Sequence, residues 1–269
     1  MPPQNDRSGP STAAVPNSFR PGQLFWMPSG STWLNRDKPR PFALATQAAE
    51  GSVATLLYGS TRETEKHRGA EWVQVRPLRE GLNRNGLLKP TYFYPGTLLP
   101  VLHERLPPHT GFLGKSLGEL RVALRAALGI GRGSCLNENA PAATHRGRIV
   151  ALKPALTADV SASFGVVLTE PRYSAERKYQ IILPIVTAFG RTAGRYDLLV
   201  SARAWFRVFS SPIDGVLLPI PIIQSIWHDD DVAQETEYVV DDETLREIDR
   251  RLCDYFSLAP VDAEGDDGR

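Results

Sequence analysis

The chain has 269 residues, enough for one large or two modest domains, and its 42 % apolar content is that of a globular protein. No run of about 18 apolar residues predicts a membrane span. The N-terminus has no basic and then apolar segment, so we expect a cytoplasmic protein. The two cysteines, Cys135 and Cys253, are too few and too far apart in sequence for a disulfide scaffold or a zinc site.

The net charge of +1 hides an uneven distribution. Residues 1–140 carry 17 Lys and Arg against 10 Asp and Glu, whereas residues 141–269 carry 14 against 20. A basic first half favours an anionic substrate, although two unrelated solvated surfaces would give the same asymmetry.

The first half of the chain predicts a unit of short strands that ends in a helix. Residues 1–18 are rich in Pro, Ser, Asn and Gly and predict a disordered tail. A mainly β unit follows over residues 19–130, and Leu117, Leu120, Leu124 and Leu128 have the spacing of its closing helix. The strands of this unit are predicted at 23–27, 41–46, 52–60, 71–75, 92–94 and 97–103.

The order of elements repeats in the second half. Residues 131–144, with Gly, Asn, Ala, Pro and Ser, predict a linker, and residues 145–259 predict a second mainly β unit. A helix with the apolar positions Leu245, Ile248 and Leu252 closes it, and residues 260–269 form an acidic tail. The strands of this unit are predicted at 147–152, 164–169, 179–187, 198–208 and 216–227.

A polar corner links two strands of the first half. Arg40 stands just before one apolar strand and Thr61 just after the next. If these strands pair in antiparallel fashion, the guanidinium and the hydroxyl lie together and form a phosphate-sized anion site. The alternative is that Arg40 pairs with Asp37 on the surface and that Thr61 only begins a turn.

These residues carry a resemblance to a known family. The segments 21–26, Arg40-Pro41 and 57–61, together with 147–152 and 220–258 of the second half, resemble MazF/PemK-type toxins. That family shares the small SH3-like barrel of the gyrase poison CcdB. The resemblance implies a mainly β fold with α-helices (α+β), made of two tandem SH3-like (CcdB/PemK-like) barrels, each closing with a C-terminal helix.

The resemblance also implies an activity. Such toxins are metal-independent, sequence-specific endoribonucleases that act as dimers and need no cofactor. Their Arg in an Arg-Pro step and their Ser/Thr after the third strand match Arg40 and Thr61 here. The second half has Ala162-Ser163-Phe164 where Arg-Pro should stand, although Thr187 could keep the hydroxyl. We therefore expect a fused, intramolecular pseudo-dimer with one active half and one inactive half.

Single-stranded RNA is the expected partner, and several residues near the corner are candidates to contact it. A basic loop next to Thr61 suits phosphate contacts, and an aromatic residue on a basic face suits base stacking. The alternative for the basic loop is a plain solvated loop. Trp33 and Trp72 could stack on bases, and the alternative for both is a place in the core of the barrel. The RNA-binding candidates are Lys38, Ser60, Arg62, Lys66, His67, Arg68 and Trp33.

A function of another class stays open. The barrels could have lost their chemistry and bind a protein, such as an antitoxin-like inhibitor, a gyrase-like target or another subunit. The acidic second half and its missing arginine favour this interaction module, whereas Arg40-Pro41 and Thr61 favour the nuclease.

Overall fold

A computed structural model describes most of both predicted units, and its described part is mainly β. The predicted linker, apart from Gly131, and both predicted tails, apart from Ser18, lie outside the described residues. The described residues are 18–32, 37–49, 51–62, 72–82, 87–131, 146–153, 163–169, 179–188, 192–201 and 215–258.

The first half forms a curled, antiparallel sheet of six strands in the order β6-β7-β5-β3-β2-β8. Two short strands of the same half, β1 and β4, form a separate two-stranded antiparallel sheet. The elements are β1 (Ser18–Phe19), β2 (Gln23–Met27), β3 (Arg40–Leu44), β4 (Ala48–Ala49), β5 (Val53–Ser60), β6 (Val73–Val75), α1 (Pro77–Glu80), β7 (Thr91–Leu102), β8 (Gly111–Phe112) and α2 (Leu117–Ala127).

The second half forms another antiparallel sheet, in the order β12-β13-β11-β10-β9-β15, and β14 pairs with β11 off this path. A 3₁₀ turn at Ile220–Ile222, which contains Pro221, separates β13 from β14. The elements are β9 (Arg148–Leu152), β10 (Phe164–Val167), β11 (Tyr179–Thr187), β12 (Asp197–Ser201), β13 (Gly215–Pro219), β14 (Gln224–Trp227), α3 (His228–Asp231), β15 (Val232–Val239) and α4 (Asp242–Phe256).

The two sheets share one strand order. The first-half strands β6, β7, β5, β3, β2 and β8 correspond in turn to β12, β13, β11, β10, β9 and β15 of the second half. Equivalent hydrogen bonds also recur. Gly22 N donates to Leu44 O at 2.8 Å in the first half, and Gly147 N donates to Val167 O at 2.8 Å in the second. Both glycines have a left-handed backbone, with φ of 90° and 88°, which residues with a Cβ rarely adopt.

Most predicted elements of the described part are present, with two differences. The segment predicted at 216–227 is divided by the 3₁₀ turn into β13 and β14. The segments 92–94 and 97–103, predicted as separate strands, belong to the continuous strand β7. An irregularity in its register against β5, between Leu57 and Gly59, lets one strand pass through Pro95-Gly96. The predicted closing helices are observed as α2 and α4, and Asp241 caps α4 by accepting a hydrogen bond from Thr244 N at 2.8 Å.

One hydrophobic core joins the two halves. Buried residues of β2, β3, β5 and α2 belong to the same apolar cluster as those of β9 to β11, β13 and α4. Polar contacts accompany this packing: the buried Ser225 hydroxyl donates to Gly96 O at 2.9 Å and accepts from Leu98 N at 2.7 Å. The halves therefore pack as parts of one body. In the part of the chain that is described, no helix is both long and apolar enough to cross a membrane.

Candidate functional site

Strand pairing places Arg40 against Ser60. β3 and β5 are antiparallel, with Phe42 opposite Tyr58, so the first residue of β3 lies across from the last residue of β5. Arg40 Nη1 donates a hydrogen bond to Ser60 Oγ over 3.1 Å. The expected antiparallel pairing of the two strands is thus observed, and the hydroxyl that contacts the guanidinium belongs to Ser60.

The Ser60 hydroxyl also holds the turn that follows β5. Besides accepting from Arg40, it donates to Arg62 O at 2.6 Å and accepts from Arg62 N at 3.3 Å. A serine hydroxyl can donate one hydrogen bond, and here it donates that bond to Arg62 O. Ser60 is fully buried, whereas Thr61 and Arg62 are exposed. This hydroxyl therefore positions both the cation and the exposed turn beside it.

The Arg40 guanidinium is half-buried among aromatic and polar groups. Its Cζ lies 5.9 Å from the centroid of the Tyr58 ring, a cation–π distance. Burial raises the pKa of Tyr58, while the Arg40 charge and the Ser60 hydrogen bond oppose that rise. Arg40 Nε is buried and has no hydrogen-bond partner among the described residues. The guanidinium is thus held in place by Ser60 and keeps donor capacity for a further acceptor.

The other predicted site residues divide into two groups. Lys38 is exposed two residues before Arg40, and Arg62 is exposed at the end of the same turn as Thr61. Within the described residues, Arg40 forms no ion pair with Asp37, so the surface pair considered as an alternative is not observed. The candidates Trp33, Lys66, His67 and Arg68 lie outside the described residues.

Aromatic and amide side chains extend this corner across the sheet. Tyr92 pairs directly with Ser60 on the neighbouring strand, and Gln74 pairs with Tyr92. Gln74 Nε2 donates to the Tyr92 hydroxyl at 3.1 Å, and the Trp72 ring meets the Tyr92 ring edge-on at 4.6 Å between centroids. The sequence shows the alternation of residues 71–75, but only strand pairing brings β6 and Tyr92 to the Arg40 corner.

The second half lacks the corresponding groups. The β10–β11 register, with Gly165 opposite Pro184, places Ser163 where Arg40 stands in the first half. By the same register Val186 takes the place of Ser60, and Pro184 that of Tyr58. Thr187 retains the hydroxyl position of Thr61 and is exposed. The cation and the hydroxyl that holds it are therefore found in one half only.

Acidic residues form no obvious metal site in the described part of the chain, where no group of three or more His, Cys, Asp and Glu residues could hold a metal ion. Asp231 instead accepts a hydrogen bond from Trp227 N at 2.7 Å, and burial raises the pKa of its carboxyl.

Comparison with known proteins assigns no family: no protein-family model matches the chain, and no curated protein matches it significantly.

Proposed function

We propose that the protein is a metal-independent, toxin-like endoribonuclease of the MazF/PemK type that cleaves single-stranded RNA. In this proposal the two halves are tandem SH3-like barrels that form an intramolecular pseudo-dimer, and only the first is active. The shared strand order of the halves and their common core support this architecture. The Arg40–Ser60 contact is the observation that carries the activity.

The chemistry needs charge stabilisation more than a protein nucleophile. The 2′-hydroxyl oxygen of the RNA attacks the adjacent phosphorus and loses its proton to water, and the bond from phosphorus to the 5′-oxygen breaks. The products are a 2′,3′-cyclic phosphate and a 5′-hydroxyl that has taken up a proton. Negative charge accumulates on the non-bridging oxygens of the phosphorane, and preorganised donors stabilise it. The Arg40 guanidinium supplies the positive charge and the N–H donors for this stabilisation.

The two hydroxyls of the corner take different roles. The Ser60 hydroxyl donates its hydrogen bond to Arg62 O and accepts one from Arg40, so it orients the guanidinium without donating to a phosphate. Thr61 follows it on the exposed turn, where its hydroxyl is accessible to a ligand. We therefore assign the phosphate contact to Thr61 together with Arg40, and the positioning of the cation to Ser60.

Cleavage of a long, unstructured RNA in EDTA tests the proposal, with the product ends mapped. The wild type should cut at a short recurring sequence and leave 5′-hydroxyl ends. Arg40→Ala should reduce the rate by about 10²–10³-fold, the effect of removing one donor from a preorganised oxyanion site. Arg105→Ala, which removes an exposed arginine of the same half, is the matched control and should cut normally.

A second experiment separates the two hydroxyls. Thr61→Ser should keep much of the activity and Thr61→Val should lose it, because only the serine retains a donor. Cleavage that survives Arg40→Ala would mean that the chemistry belongs to other residues. A folded wild type that cuts no RNA would refute the nuclease.

The second candidate function is a non-catalytic module that binds a protein. The replacement of Arg40 by Ser163 and of Ser60 by Val186 in the second half favours this role for that half. Its edge strand β15, which carries the acidic residues Glu235 and Glu237, is the surface that such a partner would meet. Loss of binding to an inhibitor or subunit on Glu235→Lys, with RNA cleavage absent in the wild type, would support this alternative.

A further inference from the structure

We propose that Trp72 and Tyr92 form a stacking site for an RNA base beside the phosphate that Arg40 binds. This inference rests on the proposed function for its ligand, because the aromatic pair adjoins the Arg40 corner. It adds a base-binding subsite, on a strand that the corner itself does not use.

The strand register puts these side chains on one face of the sheet. Residues that are directly opposite on paired strands share a face. Tyr92 is opposite Ser60 on one side and opposite Gln74 on the other. Trp72 lies just before β6, and its ring contacts the Tyr92 ring, so it lies on the same side of the sheet. The opposite face, with Val75 and Phe93, belongs to the core shared by the two halves.

The distance across this face suits neighbouring parts of one nucleotide chain. Adjacent strands lie about 4.8 Å apart, so β3 is ~10 Å from β7, which carries Tyr92, and ~14 Å from β6, which follows Trp72. Those spacings are of nucleotide dimensions. An RNA strand that runs across the sheet can therefore present a phosphate to Arg40 and a base to the aromatic pair.

The aromatic pair is held by a polar network. Arg76 Nε donates to Gln74 Oε1 at 3.2 Å, and Gln74 Nε2 donates to the Tyr92 hydroxyl. Trp72 rests edge-on against Tyr92, yet 47 % of its surface is exposed. A large ring held by its neighbour and left half in solvent offers a π surface at little entropic cost, which is what base stacking requires.

The charge of the surroundings favours a nucleic acid as the occupant. Arg40, Arg62 and Arg76 belong to this face or to the turns that border it, and Arg62 and Arg76 are exposed. Cationic side chains beside an aromatic platform attract a phosphate backbone while the ring takes a base of any sequence. A purely apolar partner would find no such complement.

Binding is measured separately from cleavage. The probes are fluorescent 2′-O-methyl dodecamers, which lack the attacking hydroxyl: oligo-U, oligo-A, oligo-C and one mixed sequence. Trp72→Leu should weaken binding of the tightest probe roughly 5- to 150-fold, the range for one stacked base. Trp72→Phe should recover most of it. Phe112→Leu is the control, because Phe112 is equally exposed, at 47 %, on β8 at the opposite edge of the same sheet.

An abasic scan of the tightest probe locates the contact. One position should lose affinity for the wild type when its base is removed and lose nothing further for Trp72→Leu, as expected when the missing base and the missing ring are partners. If Trp72→Leu binds like the wild type, or the abasic penalty persists in that variant, the stacking site is wrong.

The outcomes distinguish this inference from the proposed function. Trp72-dependent binding by a wild type that never cuts RNA would keep the stacking site and remove the nuclease. Arg40-dependent cutting without a Trp72 effect would keep the nuclease and remove the stacking site. A folded wild type that binds none of the probes overturns the stacking site directly.

Discussion

Replacing Asp249 by alanine should destabilise the whole protein, because its carboxylate holds the junction between the two halves. Asp249 on α4 forms a buried ion pair with Arg146, and the two side chains are 5 % and 1 % exposed. Arg146 Nε also donates to Leu128 O at 2.8 Å, and Gly131 N donates to Asp249 Oδ2 at 3.1 Å. The group thus ties the end of the first half to both the start and the last helix of the second.

The expected loss of stability follows from the groups that the substitution leaves buried without a partner. Breaking a buried ion pair from one side leaves an uncompensated charge and costs about 3–5 kcal/mol. The Gly131 N–H loses its acceptor as well, which adds about 1 kcal/mol. A total of about 4–6 kcal/mol is a large share of the ~5–15 kcal/mol that stabilises a typical protein. At about 2–4 °C per kcal/mol, the melting temperature should fall by roughly 8–24 °C.

Urea denaturation followed by circular dichroism and by tryptophan fluorescence measures this loss. Glu247→Ala is the matched control on the same helix: Glu247 pairs with Arg250 at 2.5 Å on the surface, and its loss should cost at most about 1 kcal/mol. The double variant Arg146→Met, Asp249→Leu removes both charges and should recover stability relative to Asp249→Ala. If Asp249→Ala lost as little stability as Glu247→Ala, the reasoning that Asp249 holds the two halves together would be wrong. Two separate unfolding transitions in the wild type would also contradict it.

Two further predictions concern packing and pH. Gly59→Ala should cost about 1–3 kcal/mol, because a Cβ there would lie 2.8 Å from the buried Phe93 ring. Gly118→Ala on α2 should be neutral or stabilising, because a Cβ there meets nothing within 4 Å. Equal urea midpoints for the two variants would contradict this prediction. Hydrogen bonds and positive charge from Arg250 and Arg251 lower the pKa of Glu247 from 4.5 to about 2. The stability that this carboxylate contributes is therefore present above pH 4.5 and lost as the pH falls through about 2. The melting-temperature difference between the wild type and Glu247→Gln should shrink over that range, and a difference that stays constant would show that the ion pair contributes nothing.

Local sequence patterns were enough for most of the described elements. Leucine spacing predicted α2, and the stripe at Leu245, Ile248 and Leu252 predicted α4, because helix periodicity is a property of neighbouring residues. The predicted strands of the described part are also present, although β7 joins two of them and the segment at 216–227 is divided into β13 and β14. Local pattern missed that join because the bulge at Pro95-Gly96 looks like a turn, and only pairing with β5 carries the strand through it.

The candidate site shows the same division more sharply. The sequence by itself placed Arg40 at the start of one strand and a Ser60-Thr61 pair at the end of the next, and it showed that the second half has no matching arginine. Only the tertiary structure decided that Ser60 contacts Arg40, since a shift of one residue in register exchanges the faces of a strand. It also decided that Tyr92 lies beside this corner and that the halves share one core, because both depend on contacts between residues far apart in the chain.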